Sequence, residues 1–167
     1  MGLSENAPLN PFQYAEHLGV LVLDFHTLGL RPDCVAQLLE KDPESWSGMT
    51  LNVDGTTAIV INPSHATVRQ NSDMAHELAH FILKHQAINV SVSPMGVFLL
   101  SDYSDDMEAE ADWLAAALLL PRQGIMDLRL QGHSPAQIAR TFEVSASLCE
   151  WRLRMTGVET QIRRRRA

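Results

Sequence analysis

The sequence predicts an α+β fold, and three features carry that prediction. Two strand-like runs, 49–53 and 56–62, flank Asp54-Gly55, a strong β-hairpin signal. His76-Glu77-Leu78-Ala79-His80 lies in a stretch whose apolar residues recur at helical spacing. From Asp105 onward the chain reads as successive helices, punctuated by Pro121 and Pro135. A hairpin followed by a run of helices is the α+β pattern. At 167 residues, one domain with a real core is expected, with room for a small appendage.

The elements follow in order. Residues 1–10 read as disordered. Asn10-Pro11 opens the first helix, with Asn as N-cap and Pro at the first helical position, and Gly19 closes it. Val20-Leu21-Val22-Leu23 reads as a short buried strand, with a continued helix as the alternative. Residues 32–39 form a short helix stopped by Asp42-Pro43. Thr56, Thr57, Ile59, Val60 and Ile61 suit the second hairpin strand, which Asn62-Pro63 ends. Ser72-Asp73 is the expected N-cap region of the next helix, which runs to about His85. Its packing surface is Ala75, Leu78, Ala79, Ile82 and Leu83. Residues 97–100 suit a strand or a loop wall. Asp105-Asp106 opens a second long helix carrying Met107, Ala111, Leu114, Ala115, Leu118 and Leu119, and Pro121 stops it. Residues 122–157 are helical in pattern. Ser134-Pro135-Ala136-Gln137 is a capping box with Pro at the first helical position. The implied segments are a disordered 1–10, a core over 11–121, a helical segment over 122–158 and a basic tail over 159–167.

Composition narrows the class. The chain is 46% hydrophobic and 20% charged, which is ordinary for a soluble protein. No apolar run is long enough to span a bilayer. The N-terminus is acidic and lacks the apolar stretch of a secretory signal, and position 6 lacks the Ser or Thr of a myristoylation motif. Cys34 and Cys149 are far apart and in apolar contexts, so free thiols in a reducing cytoplasm are expected. The net charge is −7, and Arg163 to Arg166 hold four of the 13 basic residues. A strongly acidic body argues against non-specific DNA binding.

The chemistry concentrates in H-E-x-x-H. Four residues are just over one helical turn, so His76 and His80 project from one face and can hold one metal ion. Glu77 beside them is the expected general base for a metal-activated water. A catalytic zinc site needs a third protein ligand. The acidic run Asp102, Asp105, Asp106, Glu108, Glu110 and Asp112 supplies candidates. Glu108 and Asp112 share a helix face, whereas Glu110 is turned about 200° from Glu108. Glu108 is therefore the preferred ligand and Glu110 the alternative. Asp112 is placed to accept a hydrogen bond from the outer nitrogen of a liganding histidine. Acidic clusters also occur at helix N-termini simply because they complement the dipole. His85 lies nine residues from His76, or about 900°, which puts it on the far side of the helix as surface or second-layer packing. His17, His26, His65 and His133 have no matching spacing. His133 and Tyr103 are candidates for stabilising an oxyanion, though each reads first as structural.

Residues 71–83, N-S-D-M-A-H-E-L-A-H-F-I-L, resemble the metal helix of the ImmA/IrrE family of metallo-endopeptidases. Residues 108–121, E-A-E-A-D-W-L-A-A-A-L-L-L-P, resemble that family's second signature, roughly E-x-x-A-N-x-F-A-x-x-L-L-x-P. Residues 58–62 before the metal helix also fit, as do Ile138-Ala139 and Phe142 to Ser145 after it. Asp112 stands where Asn is usual and Leu114 where Phe is usual. The resemblance implies a zincin-like fold, a small and mostly antiparallel sheet packed on the metal helix with further helices behind. It implies one zinc per chain, held by His76, His80 and Glu108, with Glu77 as general base. Such sites also accept manganese. Family members are intracellular, and several cleave helix-turn-helix repressors, which derepresses mobile-element, prophage or stress genes. The larger radiation-response members carry a further C-terminal domain, so this chain looks like the shorter, mobile-element type.

Three readings compete. The first is a zinc endopeptidase acting on a repressor. Its substrate could add as a strand at residues 58–62, if these lie at a sheet edge. The second is a non-catalytic antirepressor with a structural metal. The third is a DNA-binding regulator using residues 138–155, which imitate a helix-turn-helix and offer Arg152 and Arg154. Glu143 at the turn, where Gly is usual, weighs against the third. The Arg163–Arg166 run reads as solvated and disordered.

Overall fold

The computed structural model describes residues 2, 4, 7–53, 55–86, 89–92, 98–101 and 103–166. Among these the order is α1 (Pro11–His17), β1 (Leu21–Val22), α2 (Pro32–Ala36), β2 (Gly48–Val53), β3 (Thr56–Ile61), α3 (Thr67–Leu83), β4 (Asn89–Val92), β5 (Phe98–Ser101), α4 (Asp105–Leu119), α5 (Arg122–Leu130), α6 (Pro135–Thr141), α7 (Ala146–Met155) and α8 (Val158–Arg166). This is an α+β arrangement. The strands form one sheet in the order β1-β3-β2-β5-β4. Only the β1–β3 pair is parallel. The expectation of disorder over residues 1–10 falls in part on Met1, Leu3, Glu5 and Asn6, which lie outside the described residues, as do Asp54, Val97 and Asp102.

The hairpin sets the sheet. β2 and β3 pair from Gly48↔Ile61 to Val53↔Thr56. Gly55 takes φ 81 in the turn, which a glycine adopts without strain, and its N–H donates to the Asn52 side chain at 3.0 Å. β3 is covered on both faces. Ile59 and Ile61 pack with Met74 and Leu78 of α3 and with Ala15 and Val20. Ala58 and Val60 pack the other way, with Phe25 and Leu51 and the half-buried Leu38 and Trp46. A strand buried on both faces reads as a continuous apolar run, as residues 58–61 do.

Two expectations about this sheet are corrected. The apolar run 20–23 is a strand of two residues, and it is not buried: Leu21 is 51% exposed, and Val20 takes the core position in the turn before it. The reason is that β1 is an edge strand, paired only with Ala58 and Ile59. For the same reason residues 58–62 do not form a sheet edge. β3 lies between β1 and β2, so a substrate strand has no free side of it to join along Ala58 and Ile59.

α3 starts at Thr67, five residues before the expected cap at Ser72-Asp73. Ser72 lies inside the helix, where its hydroxyl donates to the Val68 carbonyl at 3.2 Å. The helix ends at Leu83 because Lys84 adopts a left-handed backbone, φ 57, and its N–H turns back to the His80 and Phe81 carbonyls. α4 begins as its sequence predicts. The Ser104 hydroxyl accepts from the Met107 N–H at 3.3 Å, and Asp105, Asp106 and Glu108 sit in the first turn. Ala75 and Ala79 on α3 meet Ala111 and Ala115 on α4 in one buried cluster. Four small side chains let these two helix axes approach closely.

That cluster continues through Leu119, Ile125, Ile138, Phe142, Cys149 and Leu153 to Val158 and Ile162 of α8. The expected solvated, disordered tail is therefore corrected in part. Residues 158–166 are helical, Ile162 is buried, and Glu159 accepts from Arg129 at 2.6 Å. Arg163 and Arg164 face solvent. The segment read as helix-turn-helix-like is α6, a turn and α7. Glu143 in that turn has φ 53. Arg152 of α7 is buried: its Nε donates to the Leu120 carbonyl at 3.2 Å, and its guanidinium lies 5.3 Å over the Trp113 ring. Both cysteines are free, Cys149 buried and Cys34 half-buried. No helix among the described residues is long and apolar enough to cross a membrane.

Candidate metal centre

The close seam between α3 and α4 brings the polar ends of both helices together. His76 and His80 are one turn apart on α3. Glu108, Ala111, Asp112 and Ala115 share one face of α4. Burying the alanines against α3 therefore carries Glu108 and Asp112 to the histidines.

The donor atoms of His76, His80 and Glu108 lie within 4.8 Å of one another. His76 Nε2 is 3.0 Å from His80 Nε2 and 3.2 Å from Glu108 Oε2. His80 Nε2 is 3.7 Å from Glu108 Oε1. Zinc bonds of about 2.0–2.1 Å in a tetrahedron put donors roughly 3.3–3.4 Å apart, and these separations bracket that value. The outer nitrogens are engaged too. His76 Nδ1 is 3.0 Å from Asp112 Oδ1, and His80 Nδ1 is 3.0 Å from His85 Nδ1. A proton on each Nδ1 leaves two Nε2 lone pairs facing each other beside a carboxylate, an arrangement that calls for a cation. Two nitrogens and one carboxylate are a donor set used by catalytic zinc. The residues present fit the metal.

Electrostatics agree with that use. Burial lowers the His80 pKa to about 4, helped by His76 and His85, so its imidazole is neutral and able to donate a lone pair. Glu77 is half-buried, and burial pushes its carboxyl above the usual range. The Thr50 hydroxyl, which donates to Glu77 Oε2, and the nearby His76 hold it back in part. Burial also raises the Tyr103 phenol, so it stays protonated. Its ring stacks on His80 with centroids 3.8 Å apart. Thr50, Thr57, His80, Phe81, Lys84, His85 and Tyr103 line a cavity of 290 Å³ beside the cluster.

His85 departs from the far side of α3 that helical spacing gives it: the left-handed Lys84 swings it back, and it packs as a second layer behind His80. Its Nε2 is 3.2 Å from Glu110 Oε2, so Glu110 bonds His85 and stays away from the three donors. His133 lies elsewhere, its Nδ1 3.2 Å from the Leu128 carbonyl. His65 joins Asn62 and the Pro43 carbonyl in a separate network. Thr50 and Gly48 had no sequence signal at all. A Cβ on Gly48 would stand 3.3 Å from Glu77 Cγ and Oε1 and 2.9 Å from Ile61 Cδ1, so β2 leaves just enough space for Glu77.

A comparison with curated proteins found no match. The family described as the IrrE N-terminal-like domain, a peptidase family, matches residues 31–154. That span takes in β2, β3, both long helices and every residue around the metal centre, and is well over half of the chain. The chain belongs to the ImmA/IrrE family of peptidases.

Proposed function

We propose that this chain is an intracellular zinc-dependent endopeptidase that cleaves a helix-turn-helix transcriptional repressor at a specific site. The observation that carries the reading is the convergence of His76, His80 and Glu108 with Glu77 seated beside them. A zinc ion held by the three donors supplies Lewis acidity for peptide hydrolysis. Glu77 accepts the proton of the attacking water and returns it to the leaving amine. The Thr50 hydroxyl holds the Glu77 carboxylate in its orientation, and Gly48 leaves it room. Asp112 keeps the His76 proton on Nδ1. The free thiols suit a reducing cytoplasm.

The repressor substrate rests on the family, and the derepression of mobile-element or stress genes follows from its loss. Direct DNA binding is not part of this reading. Arg152 is committed to the interior, and the exposed side of α7 carries Glu150 beside Arg154. The zincin-like description and the helix-turn-helix-like role of α6 and α7 belong to the same proposal. In it, the C-terminal helices pack behind the site or dock the substrate.

The test pairs metal content with cleavage. Wild type should bind one zinc per chain, and Glu108→Gln should lose it. Glu77→Gln should keep zinc and lower cleavage of a helix-turn-helix repressor on the order of 10²–10⁴-fold. Full cleavage by Glu77→Gln would end the catalytic assignment. Release of repression by Glu77→Gln without cleavage would replace it with a binding antirepressor.

A further inference from the structure

His76 and His80 are braced in different ways. Asp112 reaches His76 Nδ1 directly. His80 lies deeper, its side chain only 3% exposed, and its Nδ1 meets a second imidazole instead, His85 Nδ1 at 3.0 Å. The other nitrogen of His85 meets Glu110 Oε2 at 3.2 Å. His85 is itself enclosed, with a side chain 6% exposed and its ring centroid 5.0 Å from that of His80.

We propose that His85 and Glu110 are positioning residues that act as a two-bond relay on His80 and set its readiness to bind the metal. The proposal rests on the reading of His76, His80 and Glu108 as the metal-holding set. The direction of the relay follows from the inventory of donors and acceptors. The Glu110 carboxylate only accepts, so the His85 proton sits on Nε2. A neutral His85 then has only a lone pair on Nδ1, so His80 must donate from its own Nδ1. The His80 Nε2 lone pair is thereby left pointing at His76 and Glu108.

Geometry explains why an intermediary is used. Glu110 is turned about 200° from Glu108 on α4, so it cannot touch the three donors itself. The left-handed backbone at Lys84 ends α3 and places His85 in the gap. A carboxylate on the wrong side of one helix thus acts through a residue just past the end of another.

The experiment measures the zinc dissociation constant of the full chain by competition with a chelator. It compares wild type, His85→Phe, Glu110→Ala and Asp106→Asn. Phe keeps the ring volume of His85 and drops both nitrogens. Asp106→Asn removes the same charge from the same helix without touching His85. Both relay variants should bind zinc about 10–100-fold more weakly. Asp106→Asn should stay within about threefold. In zinc-loaded, nitrogen-15-labelled wild type, the ring proton of His80 should sit on Nδ1. That spectrum and Glu110→Ala, which changes an exposed side chain, keep the test open if His85→Phe folds poorly. The relay is overturned if both relay variants match wild type, if Asp106→Asn loses as much as Glu110→Ala, or if the His80 proton is on Nε2. Those results leave the metal site standing. A wild type that takes up no zinc overturns both together.

Discussion

At the scale of single residues, a short contact often decides more than a motif. Gly48 carries no chemistry, yet any side chain there meets Glu77 and Ile61 at once. Gly48→Ala should keep zinc and lose peptidase activity by about tenfold or more, because a general base displaced by a fraction of an ångström loses its alignment. Unchanged turnover with zinc bound would show that Glu77 tolerates the shift. Cys149 illustrates burial as the leading cause of a shift, with the Glu150 charge adding to it. Enclosure disfavours its thiolate and raises the pKa to about 11. At pH 8 an alkylating reagent should therefore label half-buried Cys34 and spare Cys149 in the native state. Any residual rate at Cys149 should rise with pH as thiolate forms, and unfolding should expose both thiols. Peptide mapping by mass reads this directly.

At the scale of elements, caps and turns were the most legible features. Asn10 accepts from the Phe12 and Gln13 N–H groups, and Ser134 with Gln137 forms the reciprocal capping box. Ser134→Ala should cost about 1 kcal/mol, measured by chemical denaturation. The turn after α6 runs the other way. Glu143 holds φ 53, a conformation costing a non-glycine residue about 1 kcal/mol or more. Its carbonyl oxygen faces Asn71 Nδ2 at 3.3 Å, a backbone contact that any residue keeps. Glu143→Gly should therefore stabilise the protein by about 1 kcal/mol. A loss of stability instead would mean that the glutamate side chain matters more than its backbone. Ser72 and Asp73 look like a cap in sequence, yet α3 starts at Thr67 and their partners are the Val68 carbonyl and His65. A polar side chain satisfied inside a helix gives the same local signal as one that starts it.

At the scale of the molecule, two apolar seams hold the site. One joins the sheet to α3 through Ile59, Ile61, Met74 and Leu78, and the other joins α3 to α4 and the C-terminal helices. Leu78→Ala should cost about 2–5 kcal/mol, since Leu78 is fully buried between the two site histidines in sequence. Ile162→Ala should fall in a similar range, although it lies just before the arginine run and reads in sequence as part of a tail. Denaturation midpoints of both variants test whether the tail helix belongs to the core.

The amino-acid sequence alone determined the features that close within a few residues. These are the hairpin at Gly55, the capping of α1 and α6, the acidic start of α4 at Asp105-Asp106, and the one-turn spacing of His76 and His80. Each depends on local backbone geometry, which a few neighbouring side chains dictate. Only the tertiary structure decided the rest. β3 became a central strand because residues 21–22 returned to pair with it. Thr50 reached Glu77 across a separation of 27 residues, and His85 reached His80 because one left-handed residue broke the helical period that would have carried it away. Such contacts depend on where the chain goes between elements, and helical arithmetic ends where the helix does.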